Sequence, residues 1–96
     1  MAEYRLAPRA QRDLEEIFDY TMRHWGLPQA LRYTDLIEAA CARVSQAPLQ
    51  SQDCTAIRPG YRRVNAEQHV IYFRQTSHGI AVMRLLHQRM DALRHL

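Results

Sequence analysis

Thirteen arginines and no lysine carry the fixed positive charge of this 96-residue chain, alongside five histidines. Arg58, Arg62 and Arg63, then Arg84, His87 and Arg89, form a loose cluster with Tyr61 and Tyr72 between them. Such residues suit two chemistries. In RNA cleavage, arginine stabilises a pentavalent phosphate while His or Tyr moves a proton to or from the ribose 2′-hydroxyl. In binding without chemistry, arginines meet acidic side chains or phosphates on a partner, using a planar fork matched to both. A third reading is a polar sheet face that is simply solvated. The residue types alone leave all three open.

Local context narrows some assignments. Arg62 and Arg63 are neighbours in an extended run, so they point to opposite faces; one can line a given surface, and the other is expected to pair with helix acids. His87 serves either as an acid or base near a strand end or as a hydrogen-bond partner for a nearby backbone group. Other constellations are missing from the sequence: no Gly-rich phosphate loop, no Gly-x-Ser-x-Gly, no HExxH and no metal-spaced His and Cys cluster. No cofactor and no metal are therefore expected. Glu15 and Glu16 are adjacent on a helix and diverge, which makes them a poor acid and base pair. Cys41 and Cys54 are too few and too far apart for a disulfide framework or a zinc site, and read as small apolar residues.

The elements that must position the cluster follow from periodicity. Glu3 to Ala7 alternates polar and apolar side chains and stops at Pro8, a short strand followed by a helix start. Ala10, Leu14, Ile17, Thr21 and Trp25 then form a helical stripe, widened by Phe18 and Met22, while Arg9, Arg12, Asp13, Glu15, Glu16, Asp19 and Arg23 make a solvated face. Gly26 and Leu27 break the chain before a second helix from Pro28, with Ala30, Tyr33, Ile37, Ala40, Cys41 and Val44 as its stripe and Leu31 and Leu36 outside it. Ala47-Pro48 ends that helix, and Leu49 to Ala56 reads as a loop. Three runs rich in β-branched and aromatic residues follow: Tyr61 to Val64, His69 to Arg74, and Gly79 to Leu86. Two short polar connections separate them, the pattern of an antiparallel meander. Arg89 to Leu96 is a half-helix or a tail.

The expected architecture is one α+β domain spanning 1–96, ordered β-α-α-β-β-β. A helical hairpin packs on one face of a mainly antiparallel sheet. Because the strands carry apolar residues of both parities, the second face calls for a partner or second subunit to cover it. No apolar run approaches the ~18 residues that span a bilayer, and Met1-Ala2-Glu3-Tyr4-Arg5 lacks a secretory signal's basic start and apolar core, which points to the cytoplasm. The net charge of +3 hides an asymmetry: six Arg against seven acids up to residue 48, and seven Arg against three acids beyond it. The basic character belongs to the sheet half, together with four of the five histidines.

Three stretches carry a family resemblance. They are Tyr4-Arg5-Leu6-Ala7-Pro8-Arg9-Ala10 leading to Asp13-Leu14 and Ile17; Ile57-Arg58-Pro59-Gly60-Tyr61-Arg62-Arg63; and Leu85-Leu86-His87-Gln88-Arg89-Met90-Asp91 followed by Arg94-His95-Leu96. With the β-α-α-β-β-β order, the chain resembles the RelE/ParE superfamily of bacterial toxins, and the ParE branch in particular. The resemblance implies a cytoplasmic, non-catalytic toxin that inhibits DNA gyrase and blocks replication, with no membrane partner and no direct sequence-specific DNA binding. It implies a ParD-like antitoxin whose acidic, disordered segment folds on binding to give a heteromeric complex. Target contact falls to Arg89, Asp91, Arg94, His95 and Leu96. Antitoxin contact falls to Arg58, Tyr61, Arg62, Arg63, Tyr72, Arg74, Arg84 and His87. The alternative is a ribosome-dependent messenger RNA endonuclease of the RelE type, for which Arg62, Arg84 and His87 would be the catalytic set.

Overall fold

The computed structural model describes residues 3–96; Met1 and Ala2, where the reading of the N-terminal start begins, lie outside the described residues. The chain runs β1 (Glu3–Leu6), α1 (Pro8–Trp25), α2 (Leu27–Gln46), a 3-10 turn (Pro48–Gln50), β2 (Gln52–Asp53), β3 (Tyr61–Ala66), β4 (His69–Thr76), β5 (Gly79–His87) and α3 (Ala92–His95). The five strands form one sheet in the order β1-β5-β4-β3-β2. Among the described residues only the β1–β5 pairing is parallel. This is the expected α+β meander with a helical hairpin on one face.

The hairpin forms because both helices begin with proline in the first turn and share a single residue between them. Gly26 has φ 95°, a conformation that costs glycine little and side-chain-bearing residues more, and its N–H closes α1 on the Met22 carbonyl at 2.9 Å. Ala10, Leu14 and Ile17 of α1 and Ile37, Ala40, Cys41 and Val44 of α2 pack on Ile71, Phe73, Ile80, Val82 and Leu85 of the sheet. Fully buried side chains such as Phe73, Ile71 and Ile80 each contribute about 1.5–3 kcal/mol. Leu31 and Leu36 are exposed, as the helical spacing indicates.

Four expectations change. Trp25, placed on the apolar stripe, is 69% exposed, one turn beyond Thr21, the last buried residue of α1. Asp13, placed on the solvated face, is 4% exposed. The Leu49–Ala56 stretch holds a 3-10 turn and a short strand whose Gln52 and Asp53 pair with Arg63 and Arg62. Finally, the chain covers much of its own second sheet face. Cys54, Tyr61, Val70, Tyr72, Leu86 and Ala92 make a second core, closed by Ile57, Met83 and Leu96. The double-sided apolar pattern is thus answered largely within the chain, by the 54–60 loop and α3.

Candidate functional site

Asp13 and Arg84 sit at the centre of the site. β5 has an irregularity where Tyr72 pairs with Arg84 but the next residue, Phe73, pairs with Val82, leaving Met83 as the extra residue. The bulge lets Leu85 join the helix-side core and turns Arg84 toward α1. Arg84 Nε donates to Asp13 Oδ2 at 2.8 Å and Nη2 to Oδ1 at 3.2 Å, while the Leu85 N–H donates to Oδ2 at 3.0 Å. Arg9 lies 3.4 Å from the same carboxylate. Arg84 Nη1 then donates to the His95 carbonyl at 2.7 Å. One guanidinium therefore joins α1, β5 and α3, and the sheet arginine that meets a helix acid is Arg84, with Asp13. Arg62 and Arg63 do not reach helix acids.

Beside this clamp a groove of about 770 Å³ runs along α1 and past the ends of β4 and β5. Ile17, Tyr20, Trp25, Tyr33, His69, His87 and Met90 are among its walls. Its floor carries a fixed polar chain. The Gln68 N–H donates to the Tyr33 oxygen at 3.1 Å, and the Tyr33 hydroxyl meets His69 Nδ1 at 2.7 Å. The His69 ring packs edge-on against His87, centroids 5.3 Å apart, and His87 Nδ1 accepts the Arg89 N–H at 3.1 Å. Burial, then the neighbouring His87, lowers the His69 pKa to about 4, so the ring is neutral at neutral pH and shares a single hydrogen bond with the Tyr33 hydroxyl.

Arg62 is engaged elsewhere, donating from Nε to Ser51 Oγ at 2.9 Å and from Nη2 to the Ser51 carbonyl at 2.6 Å. The catalytic set of the alternative reading is therefore divided. Arg84 and His87 share the groove, but Arg62 holds the Pro48–Ser51 segment in place. Tyr61 and Tyr72 are buried in the second core, which makes them packing residues. Arg58 lies over the Tyr61 ring, 5.5 Å from its centroid, Arg63 Nε donates to Gln52 Oε1 at 3.2 Å, and Arg74 is exposed. Among the described residues no cluster of three or more His, Cys, Asp or Glu could hold a metal ion, and no helix is long and apolar enough to cross a membrane. Cys41 and Cys54 are buried free thiols in different cores; burial pushes the Cys41 thiol up to about 12.

The C-terminal residues split by role. Asp91 Oδ1 accepts the Leu93 N–H at 3.0 Å, a capping bond that starts α3. Leu96 packs on the second core and His95 offers its carbonyl to Arg84. Arg89, Met90, Leu93 and Arg94 face outward, with Leu93 71% exposed. Met90 and Leu93, both exposed apolar residues, were not among the expected contact residues.

The family described as the ParE toxin of the type II toxin–antitoxin system parDE matches residues 4–92. The chain belongs to the ParE toxin family. It is 44% identical to Toxin ParE1 of Mycobacterium tuberculosis, over 99% of this chain and 98% of that one. Toxin ParE1 of Caulobacter vibrioides is 35% identical over 100% and 99% of the two chains, and Toxin ParE of Escherichia coli 31% over 100% and 94%. A solved chain described as the chromosomal ParDE TA system from P. aeruginosa has the same fold, with a TM-score of 0.78 and 22% identity over 91% of this chain and 96% of that one. In this ParE toxin the C-terminal half-helix is tied to the body through the Arg84–His95 bond and the second core, with Leu93 and Arg94 left exposed.

Proposed function

We propose that this ParE toxin inhibits DNA gyrase as a non-catalytic binder and is silenced by a ParD-like antitoxin. The observation that carries the reading is the identity to ParE toxins along the whole chain, 44% in the M. tuberculosis relative. The site supports a binder over a nuclease, since Arg84 gives its donors to Asp13 and His95 and Arg62 gives its own to Pro48 and Ser51. A transition-state anion would find neither guanidinium free.

The gyrase contact is the outer surface of α3 and the turn before it: Arg89, Leu93 and Arg94, with Asp91 capping the helix and His95 and Leu96 anchoring it. The antitoxin segment lies in the groove, its apolar side chains against Tyr20, Trp25 and Met90. These rigid or adaptable apolar residues, left exposed by the fold, are the types that anchor partners. The test is gyrase supercoiling of relaxed plasmid with the purified protein, alone and with its antitoxin. Inhibition relieved by the antitoxin supports the reading; unaffected supercoiling at high molar excess refutes it.

A further inference from the structure

Among the described residues, the sheet face turned away from the helices is covered at one end, where Ile57, Ala92 and Leu96 close over Tyr61, Val70, Tyr72 and Leu86. At the other end the strand register sets arginines across the open surface. Tyr61 lies opposite Arg74, Arg74 opposite Ala81, and Ala81 beside Arg5. Directly opposed residues on neighbouring strands share a face. Their in-strand neighbours Phe73, Ile80, Val82, Tyr4 and Leu6 pack on the helix side, which places the row on the opposite side. Arg58 enters from the loop over the Tyr61 ring, and Arg63 lies two residues along β3 on the same face. At roughly 4.8 Å per strand, the row is about 14 Å wide from β3 to β1.

Glu3 meets Arg5 at 3.2 Å in an exposed ion pair at the β1 end of the row. Among the described residues, Arg58 and Arg74 have no ion-pair partner. The large exposed apolar side chains lie elsewhere: Tyr20, Trp25 and Leu31 on the helices, Leu49 on the 3-10 turn, Met90 and Leu93 near the C-terminus. A folded protein would find cations here but no apolar anchor, whereas a phosphodiester chain needs only cations and polar donors such as Thr76.

We propose that this open sheet face binds the sugar-phosphate backbone of duplex DNA without reading its sequence. Arg5, Arg58 and Arg74 make the phosphate contacts, with Arg63 at the margin. The gyrase reading supplies the reason for DNA to be present: α3 borders the same face through Ala92 and Leu96. The toxin then meets the enzyme with α3 and the enzyme-bound DNA with the arginine row.

The test is fluorescence anisotropy of a labelled 30-base-pair duplex titrated with the purified full chain between 50 and 200 mM salt. Three phosphate contacts give a log–log salt slope of about −3 and an affinity loss of about 40-fold across that range. The triple variant Arg5→Gln/Arg58→Gln/Arg74→Gln, changed only at exposed positions, is expected to lose most of that slope and to bind roughly 30-fold more weakly at 50 mM. The double variant Arg12→Gln/Arg43→Gln, on the helices, keeps the wild-type slope. Circular dichroism checks that each variant is folded. Three results overturn the proposal: no duplex binding at 50 mM salt, an unchanged slope in the triple variant, or tighter binding to polyglutamate or single-stranded RNA of matched charge. Gyrase inhibition assayed on the same proteins keeps the two claims apart. DNA binding without gyrase inhibition sinks the gyrase reading alone, and gyrase inhibition without DNA binding sinks this one alone.

Discussion

Replacing Asp13 by alanine should be among the most damaging single changes on α1, although the position carries a charge. The carboxylate accepts from Arg84 Nε, Arg84 Nη2 and the Leu85 N–H, and its own side chain is 5% exposed. Alanine leaves the Leu85 N–H without its acceptor, at a cost of about 1–3 kcal/mol. It also strands a guanidinium that is 14% exposed. Breaking a buried ion pair costs about 3–5 kcal/mol, and here Arg84 keeps the His95 carbonyl and borders the groove, so the total should lie near 3–4 kcal/mol. For a domain of this size each kcal/mol lowers Tm by about 4–8 °C, giving a fall of roughly 15–25 °C. Urea denaturation followed by circular dichroism at pH 7 measures the loss. Adding Arg84→Met to Asp13→Ala removes the stranded charge, so the double variant should be about 2 kcal/mol more stable than the sum of the single losses. A loss below 1 kcal/mol for Asp13→Ala, or strict additivity, would refute the clamp.

Gly79→Ala should cost about 3 kcal/mol or more and loosen β1, because a Cβ there would lie 1.8 Å from the Glu3 carbonyl oxygen at φ 153°; thermal melts report it. His69 has a folded pKa of about 4 against an ordinary 6.5, so the unfolded chain binds more protons between those values and stability falls as pH drops through that window. After allowance for the ring's partial exposure, the loss from pH 7 to pH 5 is about 1 kcal/mol, and His69→Gln should flatten that slope in urea titrations at the two pH values. Trp25→Ala should leave Tm within about 2 °C and weaken antitoxin binding by roughly 30-fold or more in calorimetric titration, since the indole lies in the groove and outside the core.

The elements were legible because their periodicities are local. The helical stripes of α1 and α2, the glycine break between them and the three meander strands follow from residues a few positions apart. The second core was not legible, because it joins the 54–60 loop to α3 across more than thirty residues, and neither segment has a period of its own. Asp13 was misplaced for a related reason. It lies three residues after Ala10 and four before Ile17, within the stripe by spacing, but an acid is ordinarily assigned to water. Only its partner on β5 makes burial tolerable, and the bulge that aims Arg84 at it has no sequence marker. In the same way, the arginines were visible as a group, but strand register decided which of them hold the fold together and which stand free.

On the proposed function, α3 is the gyrase-binding surface of a toxin body held by the Asp13–Arg84 clamp. The most direct measurement is cleaved plasmid accumulating with purified gyrase and equimolar toxin, comparing the wild-type chain with Leu93→Glu/Arg94→Glu. Both positions are exposed, so the double variant should melt within about 0.5 kcal/mol of wild type. Wild type should accumulate cleaved DNA and stop supercoiling, while the folded double variant does neither. A double variant as inhibitory as wild type, or a wild-type protein without effect on gyrase, would contradict the claim.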